Sequence, residues 1–364
     1  MTSSRNISIA AHIIPESGLT LQTPLWQQAL SEAFTQPTAL LDYLGIERDS
    51  ISVEFSSEFS MRVPRGFAAL MRRGDPEDPL LRQVLPLQDE SVHAQGFSRN
   101  PVGDLEAHAV PGLLHKYHGR ALLITTGACA IHCRYCFRRH YPYENGSATP
   151  RQWETLLAYL GEHPTINEVI LSGGDPLMLS DEKLGRWMQQ LSEIPHLQRL
   201  RLHSRLPVVL PERITPELLA HLRENRLKSV LVIHANHPRE LSNRVTGKLK
   251  ALQKAGVLLL NQSVLLRGVN DQTAALVELS ERLFEAGVMP YYLHLLDRVE
   301  GAAHFEVEQE RIRALYSGLL SRLPGYMVPK LVRETAGEAS KRPEGFDLTE
   351  QTVIHSDACQ ATSR

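Results

Sequence analysis

Three cysteines stand close together in the run CAIHCRYC. Cys129, Cys133 and Cys136 have a C-x3-C-x2-C spacing, and the fourth cysteine of the sequence, Cys359, lies far along the chain. Cysteine thiolates at short spacing hold iron–sulfur clusters. Three thiolates leave one iron of a four-iron cube without a protein ligand, so that iron can bind another molecule. The spacing therefore predicts a [4Fe-4S] cluster with one open iron.

Zinc is the alternative metal for these thiols. A structural zinc site has four protein ligands, commonly cysteine and histidine. His132 or His140 would have to complete the set in this sequence. Such a site would belong to a zinc-stabilised binding module, and anaerobic iron and sulfide analysis separates the two hypotheses.

A glycine-rich turn follows a predicted strand and is formed by Ser172, Gly173, Gly174 and Asp175. Glycine lets a backbone approach a ligand closely, so that exposed N–H and C=O groups can bind it. The alternative is an ordinary tight turn between a strand and a helix. Beside the cysteine motif, we favour the ligand-binding interpretation.

Other polar residues have both a structural and a functional interpretation. His234, in VIHANHP, fits either a core histidine or a ligand contact. Arg134, Arg138 and Arg139 crowd the cysteine loop, and a fixed guanidinium in a pocket would bind a substrate carboxylate through two hydrogen bonds. Lys341 lies in a late loop, where it is either exposed or the attachment point of pyridoxal phosphate (PLP).

Strands alternate with helices from Arg120 onward, which predicts a parallel sheet with right-handed crossovers. The predicted strands are Ala121–Thr125, Glu168–Leu171, Leu197–His203, Ser229–His234, Val257–Leu265 and Met289–Leu295. The predicted helices are Gln152–Leu160, Asp181–Glu193, Pro216–Glu224, Glu240–Ala255, Thr273–Ala286 and Glu308–Leu320. Six such units predict an α/β fold with a partial (β/α)6 barrel. Polar residues follow most of these strands, where parallel barrels collect their active sites.

The region before the barrel differs in character. Residues 1–110 are predicted to be mostly helical and irregular, with a helical pattern from Leu25 to Leu44 that Pro37 interrupts, and no strand pattern is clear before Arg120. We expect the barrel to occupy residues 111–325 and a C-terminal segment, 326–364, to carry the lysine loop.

Composition narrows the class of protein. The 364 residues are 42% hydrophobic, enough for a sizeable core, and the formal net charge of −2 favours no nucleic-acid partner. The first residues lack the pattern of a secretory signal, and no apolar run is long enough to span a membrane. Clustered thiols fit a reducing compartment, so we expect a cytoplasmic protein.

Taken together, these motifs resemble a known family, the lysine 2,3-aminomutases, which are radical S-adenosylmethionine (SAM) enzymes that also use PLP. The resemblance runs from about Pro111 to Pro343 and includes Tyr135, the aromatic residue before the last clustered cysteine. Its segments are PGLLHKYHGRALLITTGACAIHCRYCFRR, LSGGDPL, VIHANHP, NQSVLLRGVND, YYLHLLD and GYMVP with the lysine loop.

The resemblance implies roles for cofactor-binding residues. The three cysteines resemble the cluster ligands, and Lys341 matches the lysine that holds PLP. Tyr117 and Arg120 match contacts of PLP or its phosphate, and Lys116 stands where the family carries arginine.

For SAM, the resemblance implies contacts from His234 and Gln262 and from the turn that begins at Ser172. For the substrate, Arg138 matches the arginine that binds the carboxylate, and Asp297 matches one of two aspartates that bind the side-chain amine of lysine.

The sequence also departs from the family pattern. Glu334 stands in place of the second amine-binding aspartate, and Glu338, Ala339 and Ser340 replace glycines of the lysine loop. The zinc-binding cysteines of the longer aminomutases are missing near Cys359. These features resemble the short bacterial subgroup that makes (R)-β-lysine for attachment to translation elongation factor P.

The implied activity is the conversion of (S)-α-lysine to (R)-β-lysine by a radical route that starts from SAM and uses PLP. The implied partners are L-lysine, a flavodoxin or ferredoxin as electron donor, an elongation factor P lysine ligase and a second copy of the chain. The alternatives are an aminomutase for another amino acid such as glutamate and a radical SAM enzyme without PLP.

Overall fold

A single ten-stranded sheet organises the protein. The computed structural model describes residues 24–143 and 150–345. The strands are β1 (His108–Val110), β2 (Leu113–Tyr117), β3 (Arg120–Ile124), β4 (Glu168–Ser172), β5 (Arg199–Ser204), β6 (Lys228–Ile233), β7 (Leu258–Val264), β8 (Met289–His294), β9 (Lys330–Arg333) and β10 (Arg342–Pro343). They follow one another in sequence order across the sheet.

The central strands, β3 to β9, are parallel to one another. An antiparallel hairpin of β1 and β2 extends one edge, and β10 pairs antiparallel with β9 at the other. The six predicted strands correspond to β3 through β8, which confirms the α/β class and the partial barrel.

The sheet is wider than the sequence pattern predicts. β9 continues the parallel sheet although it lies beyond residue 325, and the expected boundary at residue 110 falls between β1 and β2 of one hairpin. These strands were missed because they are short and carry charged or polar residues. β9, with the sequence KLVR, buries only Leu331 and Val332.

The α-helices of the described residues are α1 (Leu25–Ser31), α2 (Pro37–Leu44), α3 (Arg65–Ala68), α4 (Pro79–Arg82), α5 (Pro150–Glu162), α6 (Asp181–Ser192), α7 (Leu206–Val209), α8 (Pro216–Glu224), α9 (Asn243–Lys254), α10 (Thr273–Glu285) and α11 (Gln309–Arg322). All six predicted helices are confirmed, with shifts of a few residues at their ends. Thr215 accepts a hydrogen bond from Leu218 N at 3.0 Å and caps α8, with Pro216 at the first helical position.

The region before the barrel contains short helices joined by irregular chain. Pro37 begins α2 rather than interrupting one long helix, because proline fits the first helical turn, where its missing N–H is not needed. Buried residues of this region, such as Trp26 and Leu81, belong to the same apolar cluster as Trp187 and Leu206 of the barrel. The N-terminal region is therefore packed onto the barrel. In the part of the chain that the structure describes, no helix is long and apolar enough to cross a membrane.

Candidate active site

A cavity of about 380 Å³ lies within the barrel and opens among the loops that follow the parallel strands. It is lined by all the residues that the family resemblance assigns to cofactors or substrate, whereas Arg134, Arg139 and His140 lie outside its lining. The assigned residues are Lys116, Tyr117, Arg120, Cys129, Cys133, Cys136, Arg138, Ser172, Gly173, Gly174, Asp175, His234, Gln262, Asp297, Glu334 and Lys341. The fold thus gathers residues from eight segments of chain around one space large enough for small molecules.

The cysteine loop leaves the end of β3 and is held by the N-terminal region. Arg134, between the second and third cysteines, is fully buried, and its guanidinium donates to Glu90 at 2.7 and 2.5 Å and to Phe59 O at 2.7 Å. Its backbone N–H donates to Gln83 O at 2.9 Å. A buried arginine with these partners fixes the loop, so the three thiols keep a defined position at the cavity wall.

Two of the three thiols, those of Cys129 and Cys136, are poor anions in the protein alone. Burial, reinforced by neighbouring negative groups, raises the pKa of Cys129 well above its usual range and that of Cys136 to about 11. A positively charged metal centre offsets this cost, because metal binding requires the deprotonated thiolate.

The donor set fits three thiolates better than a closed zinc site. In residues 24–143 and 150–345, no three His, Cys, Asp or Glu side chains converge tightly enough to bind a single ion. Of the two histidines that could complete a zinc set, each has one ring nitrogen facing a backbone carbonyl. His132 Nδ1 lies 2.8 Å from Ser60 O, and His140 Nε2 lies 3.3 Å from Glu300 O.

The glycine turn after β4 packs directly against the chain that leads into the cysteine loop. Gly173 has a φ of 126°, and a Cβ there would lie 2.5 Å from Thr126 O. A Cβ on Gly174 would lie 2.4 Å from Ala128 O. The glycines are therefore required by this close backbone approach. A SAM contact from the same turn stays a prediction.

Asp175 ties two strand ends together. Its carboxylate accepts hydrogen bonds from Ser204 Oγ and Arg205 N, each at 2.8 Å, and from Leu177 N at 3.0 Å. Burial outweighs these bonds and raises the pKa of Asp175 to about 6. Since its oxygens are occupied by the chain, the structure gives this side chain a structural part, and its predicted cofactor contact is untested.

Lys341 forms an ion pair with Glu334 on the cavity wall. Glu334 also accepts from Tyr117 OH at 3.2 Å and lies 3.4 Å from Lys116 Nζ. Burial opposes ionisation of Glu334, but Lys341, Lys116 and other cations outweigh it and lower the pKa of Glu334 to about 2. Glu334 is therefore an anion that holds the lysine in place.

Arg138 is held by Asp104, a residue that the sequence analysis missed. Arg138 Nε donates to Asp104 Oδ2 at 2.6 Å and Nη1 to Ser172 Oγ at 3.1 Å. The other oxygen of Asp104 lies 2.5 Å from Lys116 Nζ. Asp104 is buried in a loop before β1, and nothing in its local sequence distinguishes it from a solvated aspartate.

Asp297 contrasts with Glu334. It follows β8 and lines the cavity, and no side-chain hydrogen bond or ion pair to it is present among the described residues. Burial, reinforced by the negative charge of Glu334, raises the pKa of Asp297 to about 7. Such a carboxyl can bind a cation, because a bound ammonium would lower its pKa and offset the free-energy cost of burying the carboxylate.

Histidines line the lumen between these groups. His234 Nε2 and Gln262 Nε2 lie 2.5 Å apart, and burial lowers the pKa of His234 to about 3. His203 and His294 also line the cavity, and the Nε2 atom of each is buried without a partner in the part of the chain that the structure describes. Neither histidine was assigned a role from the sequence. His203 is the last residue of a predicted strand, and His294 lies inside another.

Comparison with known proteins agrees with this geometry. The sequence model of the radical SAM superfamily matches residues 123–279 of this chain. An L-lysine 2,3-aminomutase of Escherichia coli is 48% identical over 94% of this chain and 100% of its own length. Its namesake in Haemophilus influenzae is 45% identical over 90% of this chain and 98% of its length. A longer L-lysine 2,3-aminomutase, from Clostridium subterminale, is 37% identical, with 78% of this chain matching 68% of that protein.

The match to the E. coli and H. influenzae proteins extends over nearly their whole length, and the superfamily match covers the cysteine loop, the glycine turn and the strands that carry His234 and Gln262. The chain therefore belongs to the lysine 2,3-aminomutase family of radical SAM proteins.

Proposed function

We propose that the protein is an L-lysine 2,3-aminomutase, an isomerase that converts (S)-α-lysine to (R)-β-lysine. One observation carries this proposal. A single cavity joins three clustered thiols and Lys341 to a buried arginine and to the carboxyl of Asp297, which has no side-chain partner among residues 24–143 and 150–345. Each of these groups answers one requirement of the reaction.

The cofactors follow from the residues at the cavity wall. Cys129, Cys133 and Cys136 would hold the [4Fe-4S] cluster, and His234 and Gln262 would contact SAM. When bound, the cluster and SAM supply a carbon radical, and PLP supplies the aldehyde carbon that binds the migrating amino group of the substrate.

The PLP site would be built around Lys341, whose amine attaches the cofactor. The guanidinium of Arg120 lies 4.6 Å from the ring centre of Tyr117. Lys116 extends from β2, the strand that also carries Tyr117. Two cations beside a phenol suit a phosphate group.

The substrate carries a carboxylate at one end and a side-chain ammonium at the other, and the cavity offers a group of opposite charge for each. Arg138, fixed by Asp104, keeps one terminal nitrogen without a hydrogen-bond partner in the described chain and would bind the carboxylate. Asp297 would bind the side-chain ammonium. Glu334, which also lines the cavity, would be the second acid for this ammonium. A glutamate substrate would place its second carboxylate against these acids, which argues against it.

The short form suggests a physiological role. This chain matches the whole of the E. coli relative but 68% of the Clostridium protein. This chain resembles the short bacterial subgroup that serves elongation factor P. We propose that its β-lysine passes to the lysine ligase that modifies this factor. A cytoplasmic location, a flavodoxin or ferredoxin as electron donor, and a homo-oligomer belong to the same proposal.

The experiment is an anaerobic assay of reconstituted protein with L-lysine, SAM, PLP and a strong reductant, followed by chiral product analysis. We expect (R)-β-lysine from the wild type and from Glu278→Gln, whose carboxylate is exposed on α10. Asp297→Asn should lose most of the activity. Conversion of L-glutamate but not L-lysine would overturn the substrate assignment, and no product from either would overturn the reaction.

A further inference from the structure

A buried arginine outside the proposed cofactor and substrate contacts reaches one of the cluster thiols. Arg205 follows β5, is 5% exposed, and donates from Nη1 to Cys133 Sγ at 2.7 Å. Its other terminal nitrogen donates to Gln83 Oε1 at 2.6 Å and Glu240 Oε2 at 3.2 Å. The guanidinium therefore bridges the cysteine loop, the N-terminal region and the segment after β6.

The partners of Arg205 are themselves fixed. The carboxylate of Glu240 is completely buried and accepts from Asn236 N, His237 N and Gln83 Nε2, each at 3.0 Å. The backbone of Arg205 is held by Asp175, as described above. Such a network leaves the guanidinium little freedom to leave the sulfur.

The physical consequence concerns electron uptake. Hydrogen bonds to cluster sulfurs and nearby charges set the reduction potential of an iron–sulfur cluster. One-electron reduction makes the cluster more negative, while Arg205 stays protonated, so the cation stabilises the reduced form more than the oxidised form. No bond breaks and no proton is transferred; the electron comes from an external low-potential donor.

We propose that Arg205 raises the reduction potential of the cluster through its charge-assisted hydrogen bond to Cys133. This inference rests on the proposed function, because it requires a cluster on the three cysteines. It gives Arg205 a tuning role that is separate from binding SAM or lysine.

The test is an anaerobic redox titration of the reconstituted cluster without SAM, followed by electron paramagnetic resonance. Arg205→Gln removes the charge, while Glu240 keeps its three N–H donors. Arg205→Lys keeps the charge on a shorter reach. Arg213→Gln is the matched control. Arg213 is likewise buried and pairs with a carboxylate, that of Asp181 at 2.7 Å, but in the described chain no contact joins it to the cysteine loop.

We expect a lower midpoint for both Arg205 variants, with Gln lower than Lys. For Arg205→Gln the reduced-to-oxidised ratio at a fixed applied potential should fall about tenfold, the equivalent of about 59 mV for one electron. Arg213→Gln should match the wild type. If Arg205→Gln does not fold, the lowered midpoint of Arg205→Lys carries the test.

Two results would overturn the inference. One is a midpoint in the Arg205 variants no lower than in Arg213→Gln. The other is an unchanged midpoint with weakened SAM binding, which would assign Arg205 to SAM. Iron and sulfide analysis of the wild type separates these results from failure of the proposed function. A wild type that binds no cluster would refute the proposed function, whereas the two results above concern Arg205 alone.

Discussion

The charge state of Asp297 gives a prediction in which stability and substrate binding change in opposite directions. The perturbation is Asp297→Asn, which keeps the shape of the side chain and removes its ionisation. Burial and Glu334 raise the pKa of Asp297 to about 7 from an ordinary value of 3.8. A carboxyl with a raised folded-state pKa stabilises the fold below its unfolded pKa, and that contribution is lost as the pH rises through 7.

The size of the effect follows from this shift. Roughly three pKa units correspond to at most ~4 kcal/mol above pH 7, at about 1.4 kcal/mol per unit, and relaxation and water entry reduce this. We therefore expect Asp297→Asn to raise the melting temperature by a few degrees at about pH 8.5 and by about a third as much at about pH 5. The affinity for lysine should fall, because the ammonium loses its anion.

The assay is thermal unfolding of cluster-loaded, PLP-free protein, in which the Lys341 amine is free as in this structure. Melting temperatures of wild type and Asp297→Asn are compared at both pH values, with and without lysine. Glu278→Gln, an exposed carboxylate, is the control and should show no such pH dependence. An equal difference between wild type and Asp297→Asn at both pH values would refute the reasoning.

Three further predictions follow from the contacts of the cavity. Borohydride should fix PLP to Lys341 in the wild type, and peptide mapping of Lys341→Ala should find no label; label on another lysine would contradict the site. Asp104→Asn should release Arg138 and raise the KM for lysine about tenfold, or ~1.4 kcal/mol, with a smaller effect on kcat; an unchanged KM in steady-state kinetics would argue against Arg138 as the carboxylate anchor. Gly174→Ala should destabilise the fold by roughly 1–3 kcal/mol and reduce iron loading, since its Cβ would meet backbone at 2.4 Å; full loading in iron analysis would show that the turn can shift.

The sequence predicts those parts of the fold that depend on local pattern. Apolar residues spaced between helices identify β3 to β8, because the face of each strand that packs against the helices is apolar, and β4 and β6 are buried along nearly their whole length. The spacing from Cys129 to Cys136 identifies the metal loop for a similar reason, since chelation by one loop is a local property. Residues at the ends of strands follow from the topology of a parallel barrel.

Other parts depend on contacts between distant segments, which no local pattern reveals. Asp104 lines the cavity because the fold brings its loop beside Lys116 and Arg138. Glu334 was predicted as an ammonium anchor, and no local pattern indicates that it also pairs with Lys341. β9 was missed because a four-residue strand with two buried residues has too few apolar positions to form a pattern.

The proposed function requires three thiolates that hold a four-iron cluster whose open iron faces the cavity and binds SAM. Electron paramagnetic resonance of the reduced, anaerobically reconstituted protein, recorded before and after SAM is added, measures this arrangement. We expect a paramagnetic signal whose shape changes with SAM in the wild type and is lost in Cys133→Ala. A signal that SAM leaves unchanged, or zinc without acid-labile sulfide, would contradict it.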